Sequence, residues 1–65
     1  MKNRIRDIRK EQNITLSELA KKAGISSGYL CHLEKGSRNN PSLEVMDKIA
    51  KALNKSIADV FLLQL

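Results

Sequence analysis

An all-α fold of five short helices follows from three features of this 65-residue chain. Apolar residues recur at spacings of three and four along most of its length, the period of one helix face. Thr15, Ser26, Ser42 and Ser56 each stand just ahead of such a run, where a side-chain oxygen can accept an unpaired backbone N–H. Gly24 and Asn54 stand just after one, and both residue types enter the left-handed conformation that ends helices. The length suits one small domain spanning residues 1–65 and no more.

The first helix is predicted from about Asn3 to about Gln12, with Ile5 and Ile8 inward, Met1 beside them, and Lys2, Arg4, Arg6, Arg9 and Lys10 making it basic. Asn13-Ile14 closes it. The second helix opens at Thr15, with Glu18 three residues on, the spacing of a capping box. Its inner face carries Leu16, Leu19, Ala20 and Ala23, while Lys21 and Lys22 point away. Gly24 stops it, Ile25 packs the turn down, and Ser26 caps a third helix running from about Ser27 to about Glu34. Leu30 and Leu33 face inward there, leaving an outer face of Ser27, Gly28, Cys31 and His32. That face is small and polar, and glycine inside so short a helix costs about 1 kcal/mol relative to alanine. Close approach of a partner is one reason to retain it.

A loop by composition follows from Lys35 to Pro41. Ser42 caps the fourth helix, about eleven residues long by its pattern, with Leu43, Met46, Ile49, Ala50 and Leu53 inward and Asp47 four residues before Lys51 outside. Met46 is read as core. Ser56 caps the fifth helix, where Ile57, Val60 and Phe61 finish the core. One short helix cannot bury Phe61, Leu62, Leu63 and Leu65 against one small core, so contact of the apolar tail 61–65 with a two-fold partner is the economical reading, and a frayed apolar tail is the alternative.

The bulk numbers narrow the partner. Lys and Arg total 12 against 7 Asp and Glu, a net charge of +5 with a pI near 9.7. Such a balance suits a polyanion, nucleic acid or an anionic membrane. No apolar run approaches a membrane span and no signal peptide is visible. The single cysteine excludes an internal disulfide and fits a reducing cytoplasm. Tyr29 and Phe61 are the only aromatics, too few for the stacking platforms of single-strand binders, which favours a duplex. Cys31 and His32 are adjacent, so on a helix they point about 100° apart and cannot grip one metal ion. No CxxC or HxxH spacing occurs. No metal, cofactor, small-molecule ligand or enzyme activity is expected.

The run Leu19-Ala20, Gly24-Ile25-Ser26, Tyr29-Leu30, Leu33-Glu34-Lys35-Gly36 and Asn40-Pro41-Ser42 resembles the phage repressor and Cro type (XRE-like) helix-turn-helix regulators, from about Arg4 to about Phe61. The resemblance implies a compact five-helix repressor-like domain, with the DNA-binding helix-turn-helix in the second and third helices, about residues 15–34. It implies an ion pair between Arg9 and Glu34, and dimerisation near the C-terminal end.

Under this reading the protein is a sequence-specific double-stranded DNA-binding transcriptional regulator, a repressor acting as a homodimer on an inverted repeat, in a bacterial or phage-encoded, nucleoid-associated cytoplasmic setting. Base contact falls to Ser26, Ser27, Gly28, Cys31 and His32. Phosphate contact falls to Arg9, Thr15, Ser17, Tyr29, Lys35, Ser37, Arg38, Asn39 and Asn40, and dimer contact to Phe61, Leu62, Leu63 and Leu65. Two departures from the family stand out. The outer face of the third helix lacks the longer polar side chains common there, glutamine among them. Leu16 stands where the family favours a phosphate-binding glutamine. The alternative reading is a protein-interaction module on the same fold, of the antitoxin or antirepressor type. Attachment to a membrane is disfavoured, because the amphipathic helices are claimed by the core.

Overall fold

A computed structural model describes residues 3–36 and 41–61. Five helices follow in order: α1 (Ile5–Glu11), α2 (Leu16–Ala23), α3 (Ser27–Lys35), α4 (Leu43–Ala52) and α5 (Ile57–Phe61). No strand occurs among the described residues. The helices start and stop on local chemistry. Thr15, Ser26, Ser42 and Ser56 each accept the backbone N–H three residues on, at 3.1–3.2 Å. At the stops, Asn13, Gly24, Gly36 and Asn54 all lie at positive φ, between 56° and 80°. Behind Asn13, Gly24 and Asn54 the next N–H reaches back to a carbonyl five residues earlier, at 2.9–3.1 Å, which satisfies helix-end acceptors.

The core is drawn from every helix: Ile5 and Ile8, Leu19, Ala20 and Ala23, Leu30 and Leu33, Met46, Ile49 and Ala50 with Leu53, then Val60 and Phe61. α2 lies against both α3 and α4, and α5 packs on α4 and α1. The ends of the domain are joined by the Arg4 N–H, which donates to the Val60 carbonyl at 2.7 Å. Gln12 Nε2 adds a bond to the Leu53 carbonyl at 2.7 Å, tying the end of α1 to the end of α4. Outside the core, Lys51 pairs with Asp47 at 3.0 Å and Lys48 with Glu44 at 3.6 Å.

Three expectations are corrected. Leu43 does not join the inner face of α4: it is 65% exposed, because it occupies the first helical position, a full turn before Met46 reaches the core. Phe61 is not a contact for a second subunit: it is 2% exposed, its ring enclosed by this chain's own core, and it cannot serve both. The first helix begins at Ile5, not Asn3, because Asn3 spends its side chain as an acceptor for the Ile5 N–H at 3.2 Å. Met1, Lys2, the loop residues Ser37, Arg38, Asn39 and Asn40, and the tail residues Leu62, Leu63 and Leu65 lie outside the described residues.

The Thr15–Glu18 pair forms a reciprocal capping box, with the Thr15 N–H donating to Glu18 Oε1 at 3.0 Å. That N–H, with the Thr15 side chain second and Lys22 a smaller contributor, holds the Glu18 carboxyl below its ordinary value of 4.5. A carboxylate whose folded pKa is depressed stabilises the fold at pH above its unfolded value and loses that effect as pH falls through the folded one. Glu18→Gln should therefore melt below wild type at neutral pH, and the two melting curves should converge in acid below pH 4.5. A gap that persisted unchanged into acid would show that the charge is not what the cap uses.

Candidate nucleic-acid interface

The helix-turn-helix is built around a short turn. Gly24, at φ 72°, ends α2, and Ile25 is half-buried against the core, which pins the turn to the domain. Ser26 then caps α3 through the Tyr29 N–H at 3.1 Å. Leu30 and Leu33 fix the inner face of α3, with Tyr29 half-buried and packed on the same core. What remains outward is Ser26, Ser27, Gly28 and His32, all exposed, with Cys31 half-buried between them. The five base-contact candidates thus gather on the free side of one helix and its cap.

Gly28 is informative because nothing in the chain requires it. A Cβ built on Gly28 meets no atom within 4 Å, and its backbone is not in the left-handed region. A Cβ would fit the fold there, and most residues other than proline would favour the helix. The fold therefore supplies no packing or backbone reason for the missing side chain.

Arg9 holds the unit from behind. Its Nε donates to Glu34 Oε1 at 2.8 Å, a second nitrogen approaches the other carboxylate oxygen at 3.5 Å, and a third donates to the Ile14 carbonyl at 3.1 Å. Glu34 lies near the end of α3 and Ile14 just before α2, so one guanidinium grips both ends of the helix-turn-helix. The side chains are 14% and 8% exposed. Such a planar fork meets a carboxylate through parallel bonds, and little of Arg9 is left for a phosphate. Asn3 supplies a further tie that the periodicity did not reveal. Its Nδ2 donates to the Leu33 carbonyl, 30 residues away, at 2.9 Å.

The other phosphate candidates divide by place. Ser17 is exposed on the first turn of α2, beside the exposed cap Thr15, and Lys35 is exposed at the end of α3. Leu16 packs partly against the core and offers no polar group. The Glu18 carboxylate, folded back onto the Thr15 N–H, already occupies part of the positive end of α2. A phosphate would have to meet the remaining N–H groups and the Ser17 hydroxyl instead. Among the described residues no group of histidine, cysteine or carboxylate side chains could hold a metal ion, and no helix is long and apolar enough to cross a membrane.

Transcriptional regulators are among the proteins similar to this chain. The transcriptional regulator SinR of Bacillus subtilis is 41% identical over 54 residues, 83% of this chain and 49% of SinR. This chain therefore spans about half of that relative's length. A crystal structure of SinR in complex with DNA superposes with a TM-score of 0.80 at 41% identity, over 83% of this chain and 86% of that one. The complex of SinR with the SinI protein gives a TM-score of 0.80 at 40% identity, over 85% and 53%. An uncharacterised HTH-type transcriptional regulator of Archaeoglobus fulgidus is 44% identical over 62 residues, 95% of this chain and 87% of that protein, so the similarity is not confined to bacteria and their phages. The immunity repressor of Bacillus phage phi105 is 40% identical over 57 residues, 88% of this chain and 39% of that protein. The helix-turn-helix family model matches residues 5–60, the span from the first buried residue of α1 to Val60 in α5. The chain belongs to the helix-turn-helix family, in its Cro and phage-repressor branch.

Proposed function

We propose that this chain is a sequence-specific double-stranded DNA-binding transcriptional regulator that acts as a homodimeric repressor on an inverted-repeat operator, in the cytoplasm. The observation that carries the reading is the outer face of α3, exposed, small and open at Gly28 where the fold itself has no use for a glycine. A helix so shaped can lie deep in the major groove, which admits an α-helix and presents a distinct donor and acceptor pattern for each base pair. The net charge of +5 supplies the attraction to phosphates. Phe61 is buried and Tyr29 half-buried, so no aromatic platform competes in favour of single strands.

In this mechanism His32, the longest polar side chain on that face, donates to guanine N7 or O6. Ser27 bonds less selectively, Gly28 permits the approach, and Ser26 and Cys31 flank the contact. Lys35 and Ser17, with Arg38 and Asn39 of the loop, fix the register on the backbone. The dimer rests on Leu62, Leu63 and Leu65 of the apolar tail, since Phe61 is withdrawn into the core. The relatives named as a transcriptional regulator and an immunity repressor, and the solved SinR–DNA complex, support this reading. The SinR–SinI complex supports a second one, a partner protein docked on the same fold.

Selection from a random duplex pool at near-physiological salt tests the proposal. An inverted repeat with half-sites about one helical turn apart is the expected outcome. Salt-sensitive binding without enrichment would transfer the bet to the protein partner. On the selected site, His32→Ala should relax preference at one base position by about tenfold, at the low end of the 1–3 kcal/mol range for a good contact. Equal weakening at every site would remove His32 from base reading.

A further inference from the structure

α3 is fixed differently at its two ends. Its first turn is held by its own cap, Ser26, and by the packed turn at Ile25. Its last turn is held by side chains from α1 and the residues just before it: Arg9 on Glu34, and Asn3 on the Leu33 carbonyl at 2.9 Å. The Asn3 amide works in both directions at once. Its oxygen accepts the Ile5 N–H at 3.2 Å while its nitrogen donates to Leu33. The orientation of the amide is forced, because one partner can only donate and the other only accept. The Leu33 carbonyl belongs to the last turn of α3, whose acceptors lack full helical partners, and it also receives the Gly36 N–H at 3.2 Å. Leu33 follows His32 directly and is itself 1% exposed, so its backbone and the placement of His32 move together.

We propose that Asn3 is a positioning residue for base recognition: by holding the last turn of α3 to the start of α1, it fixes the tilt at which His32 meets the base edges. The proposal rests on the DNA-reading function above. Directional hydrogen bonds to bases fail when a supporting shell loosens by about 0.5 Å, whereas long lysine and arginine side chains follow phosphates through such shifts. Losing the tie should therefore cost discrimination and spare salt-dependent attraction.

Two variants separate the roles of the amide. Asn3→Asp keeps an acceptor for the Ile5 N–H and removes the donor to Leu33. Asn3→Ala removes both without adding charge. Each is compared with wild type in its affinity for the selected duplex and for a shuffled duplex of equal length and composition, at several salt concentrations, alongside amide hydrogen exchange of α3. The expected result is a fall of about tenfold in the selected-to-shuffled affinity ratio for both variants, the size of one good base contact. The salt slope should be unchanged, and exchange at Gly36 should quicken. A ratio that stays at the wild-type value while exchange quickens would reduce Asn3 to a structural tie and overturn the proposal. A wild-type ratio of one would overturn the DNA-reading function itself, an outcome distinct from the first.

Discussion

Replacing Arg9 with alanine should remove about 2–3 kcal/mol of folding free energy, somewhat less than the 3–5 kcal/mol typical of opening a fully buried ion pair. The loss has two parts. Glu34, 8% exposed in its side chain, would be left with its guanidinium partner gone. The Ile14 carbonyl would lose its donor at the entrance to α2. Stability of about 0.05–0.15 kcal/mol per residue leaves a chain of this length little to spare, so Arg9→Ala should be partly unfolded at 37 °C. Urea titration of Arg9→Ala, Glu34→Ala and the double variant Arg9→Met with Glu34→Leu decides the cause. The apolar pair should recover most of the loss, since well-packed replacements of buried ion pairs are often neutral. If the double variant were as unstable as Arg9→Ala while Glu34→Ala stayed near wild type, the Ile14 bond, and not the unpaired carboxylate, would carry the energy.

Gly28→Leu should do the reverse to the fold and damage only recognition. The position is open, with nothing within 4 Å of a built Cβ, so the folded state has room for the side chain. Relieving the glycine should raise stability by up to about 1 kcal/mol. Affinity for the selected duplex should fall at least 100-fold, about 2.7 kcal/mol, because the new side chain fills the space through which the groove floor approaches. Gly28→Ala should lie between. Urea titration and fluorescence anisotropy on the same preparations read both quantities. A stabilised variant that binds like wild type would mean that α3 does not approach DNA at this point.

Features that depend on neighbours within a few residues were legible in the sequence. Thr15, Ser26, Ser42 and Ser56 cap because each needs only an N–H three residues ahead, and Gly24 and Asn54 stop helices by their own backbone preference. The inner faces followed from period, except at the edges. A spacing of three joins Leu43 to Met46 on paper, but period alone does not say where the core ends, and Leu43 falls beyond it. Phe61 failed in the opposite sense: a count of apolar residues in the tail could not say which of them this chain keeps for itself. The Arg9–Glu34 pair came from resemblance to a family, since 25 residues separate the partners and no local pattern joins them. The ties from Asn3 to Leu33 and from Gln12 to Leu53 had no signal at all. Each ends on a backbone carbonyl, and a carbonyl carries no mark in a sequence.

The local character of the helix ends bears on how the chain folds. Because α2, α3 and α4 each carry a side-chain cap and a stop within their own or adjoining residues, their boundaries can form before any distant contact exists. Helices form in well under a millisecond, and folds dominated by near-neighbour contacts are among the fastest. The most distant tie is the bond from the Arg4 N–H to the Val60 carbonyl, which closes a loop over almost the whole chain. Joining α1 to α5 is thus the natural late step, and the recognition unit between them would already be shaped when the domain closes.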